Sequence, residues 1–396
     1  AAAYHGGHLK FGPDYIIPSP FDPRLIWYIP PFVAQAAMDT GVARRPIPDM
    51  DAYREALARR LDPTAGFLQK ISGAVQSGRH KTIVFAEGEE PQVIRAAYAF
   101  QSQGLGKAVL IGREQLVAEN MRAAGLDPEE AKLEVLNARL SSHNPEFVDF
   151  LYARLARQGY LRRDVLRLIN QDRNSFAACY VACGYADGMV TGVTRAFDQA
   201  LEEVMRVIDP APGGRVIGMS IVLSKGRTIF IADTNVTEMP DSEDIVEIAI
   251  EAAAAVKRLG FTPRLAFMSY SAFGNPNGER AEKMRAAVAM LEKRGDVGFE
   301  YDGEMPPELA LDPERRADYP FMRLSGPANV LIMPAIHSAS ISTKLVASLG
   351  EATVVGPILL GLSKSVQICP LSASVSKILN MAMMAAYDRP LTEPVA

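Results

Sequence analysis

The chain has few cysteines, few histidines and no long apolar run. Three cysteines and five histidines among 396 residues are too few for a disulfide framework, and a sparse, odd set of cysteines is typical of a reducing compartment. No apolar run reaches the roughly 20 residues that span a bilayer, and no signal-peptide core opens the chain. The net charge of −4 comes without a long basic tract, which argues against nucleic-acid binding. We therefore expect a cytoplasmic protein with neither membrane nor nucleic-acid partners.

Two of the cysteines, Cys179 and Cys183, are four residues apart on a predicted helix, so their side chains share a face. A two-cysteine metal site is one interpretation, but no histidine or third cysteine lies nearby in the sequence. Buried core cysteines are the favoured interpretation. We expect no metal site in this chain.

The first 60 residues differ in composition from the rest. Eight of the 27 prolines precede residue 50, and the only tryptophan, Trp27, lies among them. Because proline lacks a backbone donor, this segment is predicted to be extended up to about residue 32 and to pack on a neighbouring domain. A helix over Val33–Thr40, ended by Gly41, is predicted to follow. The start, Ala1–Tyr4, is typical of the middle of a helix, and we expect the chain to be part of a longer one.

From about Phe67 onward, short apolar runs alternate with amphipathic stretches. Strands that alternate with long helices predict an α/β fold, largely parallel, with helices on both faces of the sheet. Ligands of such sheets bind at the carboxyl ends of the strands. A turn at Ser224–Arg227 predicts a hairpin. The predicted strands are Lys81–Ala86, Lys107–Ile111, Gly188–Thr191, Arg215–Leu223, Thr228–Ala232, Arg264–Met268, Asn329–Met333, Ala352–Val355 and Val366–Cys369.

Several single motifs favour structural roles. Gly104-Leu105-Gly106 lacks the third glycine of a dinucleotide fingerprint, so no nicotinamide site is predicted in this chain. Asp233 follows a strand, and without a partner carboxylate at metal spacing we favour turn capping over cation binding. His337 stands alone, without a nucleophile elbow or triad order, which also favours a structural role.

Two loops are candidate anion sites. Ser269 and Ser271 lie between a strand and a helix, where hydroxyl groups and backbone amides can bind a phosphate or an acyl oxygen. An ordinary polar loop is equally compatible with that spacing. Arg195 comes just after the strand Gly188–Thr191 and can bind an anion bidentately, but a surface arginine is an equally good interpretation.

Several ordered segments together resemble the phosphotransacetylase family. Each segment alone is a weak signal, but jointly they are specific and extend from about Phe67 to the C-terminus. They are VFAEGEEP at 84–91, YADGMVTG at 185–192, the loop at 266–274, YDGE at 301–304, ANVLIMP at 328–334 and GPILLGLSK at 356–364.

The proline-rich segment resembles the end of the nicotinamide domain of bacterial malic enzymes, in FGPDYIIPSPFDPRLI and VAQAAMDTGVARRPI. The combination resembles hybrid NADP-dependent malic enzymes with a C-terminal phosphotransacetylase-like domain. Residues 333–338 and 366–368 are closer to that branch than to the free acyltransferases. For an upstream malic enzyme domain, the resemblance implies oxidative decarboxylation of malate to pyruvate, with NADP and Mg²⁺ or Mn²⁺ as cofactors.

The resemblance implies a two-lobed αβα fold with mainly parallel sheets, the second lobe being inserted in the first. Residues 1–66 would be the malic enzyme tail and linker, 67–205 with 357–396 lobe I, and 206–356 lobe II. Family members dimerise through the second lobe, which implies at least a homodimer and, in a full-length protein, a higher homo-oligomer. The resemblance also implies that acetyl-CoA binds near the cleft.

The family's catalytic pattern is degenerate in this chain. Phosphotransacetylases move an acetyl group between phosphate and the thiol of coenzyme A, using a Ser-Arg-Gly-x-Ser-Val-x-Asp stretch. We align this pattern on its Ser-Val pair, which corresponds to Ser374-Val375 in this chain. In that alignment the first serine is replaced by Pro370, the arginine by Leu371 and the aspartate by Lys377. These three cannot supply the hydroxyl, the anion-stabilising cation or the base. Each such loss costs on the order of 10²–10⁴ in rate, so we expect no catalysis.

A cleft can lose its chemistry and keep its ligand, because binding and bond making use different groups. We therefore predict a regulatory and oligomerisation domain that binds acetyl-CoA as an allosteric inhibitor of malic enzyme. An acyltransferase with a relocated site and a purely structural oligomerisation module remain the alternatives. The candidate acetyl-CoA contacts are Arg195, Ser220, Ser269, Ser271 and Asn275.

Overall fold

The computed structural model describes residues 25–51, 53–54, 57, 63–224, 226–350 and 352–387. These residues belong to two compact units. One unit holds the described residues up to Lys70 together with those of Ser224–Arg227. The other holds Ile71–Leu223 and the described residues from Thr228 onward. Residues 1–24, which include most of the first of the two segments that resemble malic enzymes, lie outside the described part.

The helices are numbered in chain order. They are α1 (Leu25–Asp39), α2 (Pro63–Ser77), α3 (Pro91–Ser102), α4 (Glu114–Ala123), α5 (Pro128–Ala131), α6 (Asn144–Leu155), α7 (Arg162–Gln171), α8 (Arg173–Ala182), α9 (Phe197–Met205), α10 (Ser242–Arg258), α11 (Glu279–Arg294), α12 (Pro307–Leu311), α13 (Ile336–Ser348) and α14 (Val375–Ala386).

The strands are likewise numbered in chain order. They are β1 (Thr82–Phe85), β2 (Lys107–Ile111), β3 (Glu134–Leu136), β4 (Gly188–Thr191), β5 (Ile217–Ser224), β6 (Arg227–Ala232), β7 (Arg264–Met268), β8 (Glu300–Met305), β9 (Val330–Ile332), β10 (Thr353–Leu360) and β11 (Ser365–Ile368).

Helix α1 corrects one prediction. The segment before residue 32 was expected to be extended, but the helix begins at Leu25 and contains Pro30 and Pro31. Proline fixes φ near the helical value, so a helix can include Pro30 and Pro31 at the cost of two backbone donors and of crowding against the carbonyls four residues earlier. The predicted end is confirmed, since Gly41 follows the helix with a φ of +72°.

The first sheet has the order β11-β4-β1-β2-β3, and every neighbouring pair is parallel. Its strands are covered on both faces, because successive side chains of a strand point to opposite sides. Val84 belongs to a core that includes Phe147 of α6 and Phe176 of α8. Its neighbour Phe85 packs edge-on against Phe100 of α3, with ring centroids 6.2 Å apart.

The second sheet has the order β10-β5-β6-β9-β7-β8. The pairs β6–β9, β9–β7 and β7–β8 are parallel, whereas β10 runs antiparallel to β5. Strands β5 and β6 are neighbours joined by two residues, which confirms the predicted hairpin. Helix α10 begins with a reciprocal capping box, in which Asp241 accepts from the Asp244 amide at 2.8 Å and Asp244 accepts from the Asp241 amide at 3.0 Å.

The predicted two-lobed α/β architecture is confirmed, because the strands of the second sheet lie between β4 and β11 in the chain. The exact division into residues 67–205, 206–356 and 357–396 stays a prediction. The proposed boundary at 356/357 falls inside β10, where the Gly356-Pro357 pair produces a register shift rather than an end of the strand. No helix in the described part of the chain is long and apolar enough to cross a bilayer.

Strands β3 and β8 were not predicted. Strand β3 has only three residues, all half-buried, and begins with a glutamate. Strand β8 carries two buried carboxylates, Asp302 and Glu304, on either side of a glycine. Neither segment has the continuous apolar run or the alternation that identifies a strand in a sequence.

Candidate functional site

The carboxyl edge of the first sheet is where an α/β fold of this topology places a ligand. The chain passes from β1 to β2 on one side and later adds β4 on the other, so the order of strands reverses between β1 and β4. Ligands bind in the crevice outside such a reversal. The crevice is bordered by residues 86–90 after β1, 192–195 after β4 and 369–374 after β11.

The side chain of Glu87 spans this crevice. Its carboxylate accepts hydrogen bonds from the Val193 amide at 2.7 Å, the Thr194 amide at 2.9 Å and the Thr194 hydroxyl at 2.6 Å. Glu87 is itself buried. The backbone amides that could bind a ligand anion after β4 therefore already bind a carboxylate of the protein.

The segment that follows β11 is fixed to the same loop. The Cys369 amide donates to the Thr191 carbonyl at 2.6 Å, and the Ser372 amide donates to the Val193 carbonyl at 3.0 Å. Gly192 lies between them with a φ of +103°. A Cβ atom at Gly192 would collide with the Cys369 carbonyl, so only glycine allows these two segments to approach.

The three degenerate positions lie at this edge. Pro370 has no side-chain polar atom, and Leu371 is 59% exposed. Lys377 lies in the first turn of α14, whose N-cap Ser374 accepts from the Lys377 amide at 3.4 Å. The ammonium group of Lys377 has no hydrogen-bond or ion-pair partner among the described residues.

Cys369 is the cysteine nearest to the degenerate stretch. Burial raises the pKa of its thiol far above the ordinary range, and the nearby charge of Glu87 adds to the shift. A thiol in this state is not a nucleophile near neutral pH, since the reactive species is the thiolate. Cys369 therefore does not replace the lost serine.

Arg195 is held by two carboxylates. Its guanidinium donates to Asp172 at 2.6 Å and also to Glu203, which in turn accepts from Asn174 at 2.6 Å. Burial alone would lower the pKa of Arg195, but the hydrogen bonds and charges of Glu203 and Asp172 outweigh it and raise the pKa. This arginine is half-buried, and two carboxylates of the protein already bind its guanidinium.

A second set of ion pairs surrounds Glu89. Arg113 donates to the two carboxylate oxygens from Nε at 3.0 Å and from Nη2 at 3.2 Å, and Arg173 donates to the same carboxylate. Burial would raise the pKa of Glu89, but the hydrogen bonds from Arg113 and the charge of Arg173 hold it below its ordinary value.

These contacts limit what the carboxyl edge can do chemically. Three arginines are bound to carboxylates of the protein, and Glu87 accepts three internal hydrogen bonds. No group of three or more His, Cys, Asp or Glu residues in the described ranges could hold a metal ion. The described residues of this edge form separate sets of internally paired polar groups around Glu87, Glu89 and Arg195, and the unpaired ammonium group of Lys377 is a single cation rather than an anion clamp.

The serine loop lies at the end of β7 in the second sheet. The hydroxyl of Ser271 donates to Glu304 at 2.8 Å and lies 3.1 Å from the hydroxyl of Ser269. The same Glu304 oxygen accepts from Arg285 at 2.8 Å. Asn275 closes the loop through backbone hydrogen bonds with Ala272.

Ser220 and Asp233 belong to the interior of the second sheet. The Ser220 hydroxyl is buried and donates to the Thr234 hydroxyl at 3.2 Å. Asp233 accepts from the amides of Gly218, Asn235, Val236 and Thr237 at 2.7–3.1 Å. This confirms the predicted turn-capping role of Asp233.

The predicted acetyl-CoA contacts therefore occupy three separate positions. Arg195 lies at the first sheet, Ser220 inside the second, and Ser269, Ser271 and Asn275 in the loop after β7. Within the described ranges, no hydrogen bond or ion pair connects one position to another. Their role in binding stays a prediction.

The other singled-out residues are structural or exposed. Cys179 is buried in the core, which raises the pKa of its thiol, and Cys183 is half-buried at the end of the same helix. His337 is exposed in the first turn of α13.

Sequence reasoning missed the network at the carboxyl edge. Glu87 and Glu89 come directly after the apolar run of β1, and that position was a usable signal. Asp172 and Glu203 carry no such signal, since one is the N-cap of α8 and the other a helical residue of α9. Only tertiary packing brings them to Arg195.

Comparisons with known proteins agree with this fold. The phosphate acetyl/butaryl transferase family matches residues 66–386. The chain is 56% identical to an NADP-dependent malic enzyme of Rhizobium meliloti over 98% of its own length and 51% of that protein. It is 42% identical to a probable NADP-dependent malic enzyme of Rickettsia prowazekii, covering 98% of this chain and 52% of that protein. The chain thus spans about half the length of these relatives.

Among solved structures, the EutD phosphotransacetylase from Staphylococcus aureus superposes with a TM-score of 0.75 at 25% identity. The match covers 82% of this chain and 98% of that one. The family match extends over both sheets and over the network at the carboxyl edge. The chain therefore belongs to the phosphate acetyl/butaryl transferase family.

Proposed function

We propose that this chain is a regulatory and oligomerisation region of an NADP-dependent malic enzyme, that it binds acetyl-CoA as an allosteric inhibitor, and that it lacks phosphotransacetylase catalysis. The similarity to malic enzymes over 98% of the chain supports the assignment to that kind of protein. In this proposal an upstream domain, with NADP and Mg²⁺ or Mn²⁺, oxidises malate in the cytoplasm. The phosphotransacetylase-like chain supplies regulation.

The proposed loss of catalysis is supported by which residues lie at the carboxyl edge and by how its arginines are paired. Pro370, Leu371 and Lys377 stand where the family's serine, arginine and aspartate are expected. The nearby Arg195 is bound to Asp172 and Glu203 and cannot replace the lost cation. Transfer of an acetyl group builds negative charge that needs a preorganised donor or cation. The three arginines described at this edge are already neutralised by carboxylates, and the unpaired Lys377 occupies the position of the family's aspartate.

Inhibition by acetyl-CoA requires that the ligand prefer one arrangement of the whole protein over another. The test is malate oxidation by the full-length polypeptide with and without acetyl-CoA, together with calorimetry of acetyl-CoA binding. We expect binding below millimolar concentration and a decrease in malate oxidation. Absence of binding at millimolar acetyl-CoA would contradict the proposal.

The alternative of an active phosphate acetyltransferase makes an opposite prediction. The chain would form acetyl phosphate from acetyl-CoA and phosphate at a measurable rate. We expect no acetyl phosphate above the background of a sample without protein. A rate that is removed by mutation of residues at the carboxyl edge would establish the alternative.

A specific observation favours a role in assembly. Ile341 and Leu345 of helix α13 and its C-cap residue Leu349 are spaced along one face, and these residues are 63%, 56% and 70% exposed. Residues four apart align along a helix, so these three form an apolar stripe. Burying each such side chain contributes about 1.5–3 kcal/mol. We propose that a second copy of this chain covers the stripe, giving at least a homodimer.

The double variant Leu345→Lys, Leu349→Lys tests this surface by sedimentation or light scattering. We expect a shift to monomers without loss of the folded state, since both positions are exposed. Lys344→Glu, on the same helix and outside the stripe, is the matched control. If the double variant assembles like the parent, the surface is wrong, and the regulatory proposal is unaffected.

A further inference from the structure

A cavity of about 780 Å³ lies at the opposite, amino edge of the first sheet. Its floor is formed where β1, β4 and β11 begin, at Lys81, Asp187 and Ser365. The C-terminal ends of α10 and α14 and the loops 211–214 and 360–364 complete its walls. Its volume falls in the range of about 300–1,000 Å³ that is typical of small-molecule sites.

The charge on these walls differs from that of the carboxyl edge. Four of the residues that line the cavity are basic and two are acidic. Arg79 is paired with Asp187, and Arg258 lies 3.6 Å from Glu251. Lys364 is exposed and has no partner among the described residues. The six charged residues are Arg79, Lys81, Arg258, Lys364, Asp187 and Glu251.

Apolar side chains form the rest of the wall. Val75 of α2, Met219 of β5 and Met384 of α14 line the cavity beside the basic rim. Methionine side chains adapt to irregular ligands because they are flexible and polarisable. A wall with an apolar part and an excess of cations fits an organic anion with an apolar arm and phosphate groups.

The loop that carries Lys364 is built around a close backbone contact. Gly361 has a φ of +82°, and a Cβ atom there would collide with the Arg215 carbonyl. The Gly361 carbonyl accepts from the Ala211 amide at 2.8 Å, and the Ser363 amide donates to the Asp209 carbonyl at 2.9 Å. These contacts hold residues 361–364 against residues 209–215, so the rim of the cavity has a defined position.

We propose that this amino-edge cavity, and not the carboxyl edge that the family's catalytic pattern marks, is the site for a CoA thioester. Acetyl-CoA has the required chemistry, with phosphate groups for the basic rim and a pantetheine arm for the apolar wall. The proposal rests on the proposed function, since it assigns a position to the same effector. At the carboxyl edge, by contrast, three arginines are already bound to carboxylates.

The experiment compares two charge reversals by calorimetry with acetyl-CoA. Lys364→Glu changes the rim of the cavity, and Lys377→Glu makes the same change at the carboxyl edge. Both ammonium groups lack partners within the described ranges, so both variants should keep the parent's unfolding midpoint. Reversing a charge close to a phosphate is expected to weaken binding about tenfold or more. We expect that loss for Lys364→Glu and less than about twofold change for Lys377→Glu.

Hydrogen exchange provides an independent readout on the parent chain. Acetyl-CoA is expected to slow amide exchange in residues 209–215 and 360–365, and to leave residues 369–377 unchanged. Loss of binding only in Lys377→Glu, equal loss in both variants, or protection confined to 369–377 would each overturn the cavity assignment while leaving acetyl-CoA binding intact. No binding to the parent chain would instead overturn the proposed function, and with it this assignment.

Discussion

The two edges of the first sheet differ in how extensively their charged side chains are paired, although one lysine without a partner among the described residues lies at each edge, Lys377 at the carboxyl edge and Lys364 at the amino edge. At the carboxyl edge, Glu87, Glu89 and Arg195 each have two or more internal partners. At the amino edge, Arg79 forms one exposed ion pair and Lys364 forms none within the described chain. Internal pairing stabilises a fold but removes groups from ligand binding. The edge that is richer in charge is therefore the poorer candidate for an anion site.

The comparison is most strongly tested at Glu87. Glu87→Leu removes the carboxylate that accepts three hydrogen bonds and leaves the buried amide of Val193 without a partner. Because an unsatisfied buried donor costs about 1–3 kcal/mol and a hydrogen bond to a charged group contributes about 1.5–3 kcal/mol, we expect the free energy of unfolding to fall by about 3 kcal/mol. Urea denaturation measures it. Glu90→Leu, at the neighbouring half-buried position, is the control and should change stability by less than about 0.5 kcal/mol.

The next largest effect is expected at Arg195. Arg195→Met leaves Asp172 and Glu203 close together without their shared cation, and these carboxylates are only 14% and 11% exposed. We expect a loss of about 2 kcal/mol in the free energy of unfolding. Arg206→Met breaks a pair whose carboxylate, on Glu202, is 79% exposed, and it should cost less than about 0.5 kcal/mol. If both variants lose the same free energy of unfolding, the ion pairs of Arg195 stabilise the protein no more than an exposed ion pair does.

A pH series tests the ion pairs of Glu89. The pKa of Glu89 in the folded protein is held below its ordinary value of 4.5. The ionised carboxylate of Glu89 therefore stabilises the folded state above pH 4.5, and this stabilisation is lost as the pH falls through the lower pKa of the folded state. Glu89→Gln lacks this ionisation. We expect the difference in urea midpoint between parent and variant to be widest near neutral pH and to shrink in acid. A difference that does not depend on pH would contradict this.

The smallest effect is expected at the amino edge. Arg79 is 76% exposed in its pair with Asp187, so Arg79→Gln should lower the free energy of unfolding by less than about 1 kcal/mol. Salt near 1 M should remove even this difference, because exposed charges are screened over a few ångströms. A loss as large as that of Arg195→Met would show that the two edges do not differ in how firmly their charges are held.

Most of the fold could be predicted from the chain itself. Strands such as β2, β4 and β7 are continuous apolar runs between turn signals, and the structure places each of them with its predicted bounds. Strand β8 could not be found that way, because Asp302 and Glu304 make it look like a polar loop. Their burial is possible only because they accept hydrogen bonds from distant residues, Arg323 for Asp302 and Arg285 for Glu304.

The candidate site was predictable only in part. The degenerate stretch from Pro370 to Lys377 is visible in the sequence, because a missing hydroxyl, cation or base is a property of residue type. The state of Arg195 is not visible, since Asp172 and Glu203 meet it through the packing of α8 and α9. The cavity at the amino edge is formed by segments far apart in the chain, and no motif marks it.

The sequence by itself determined the alternation of strands and helices, the family, and the loss of the catalytic residue types, because these depend on local pattern and side-chain chemistry. Only the tertiary structure decided which charges are neutralised and which remain available. That distinction depends on distances between residues such as Glu89 and Arg173, which are 84 positions apart in the chain and joined by an ion pair in the fold.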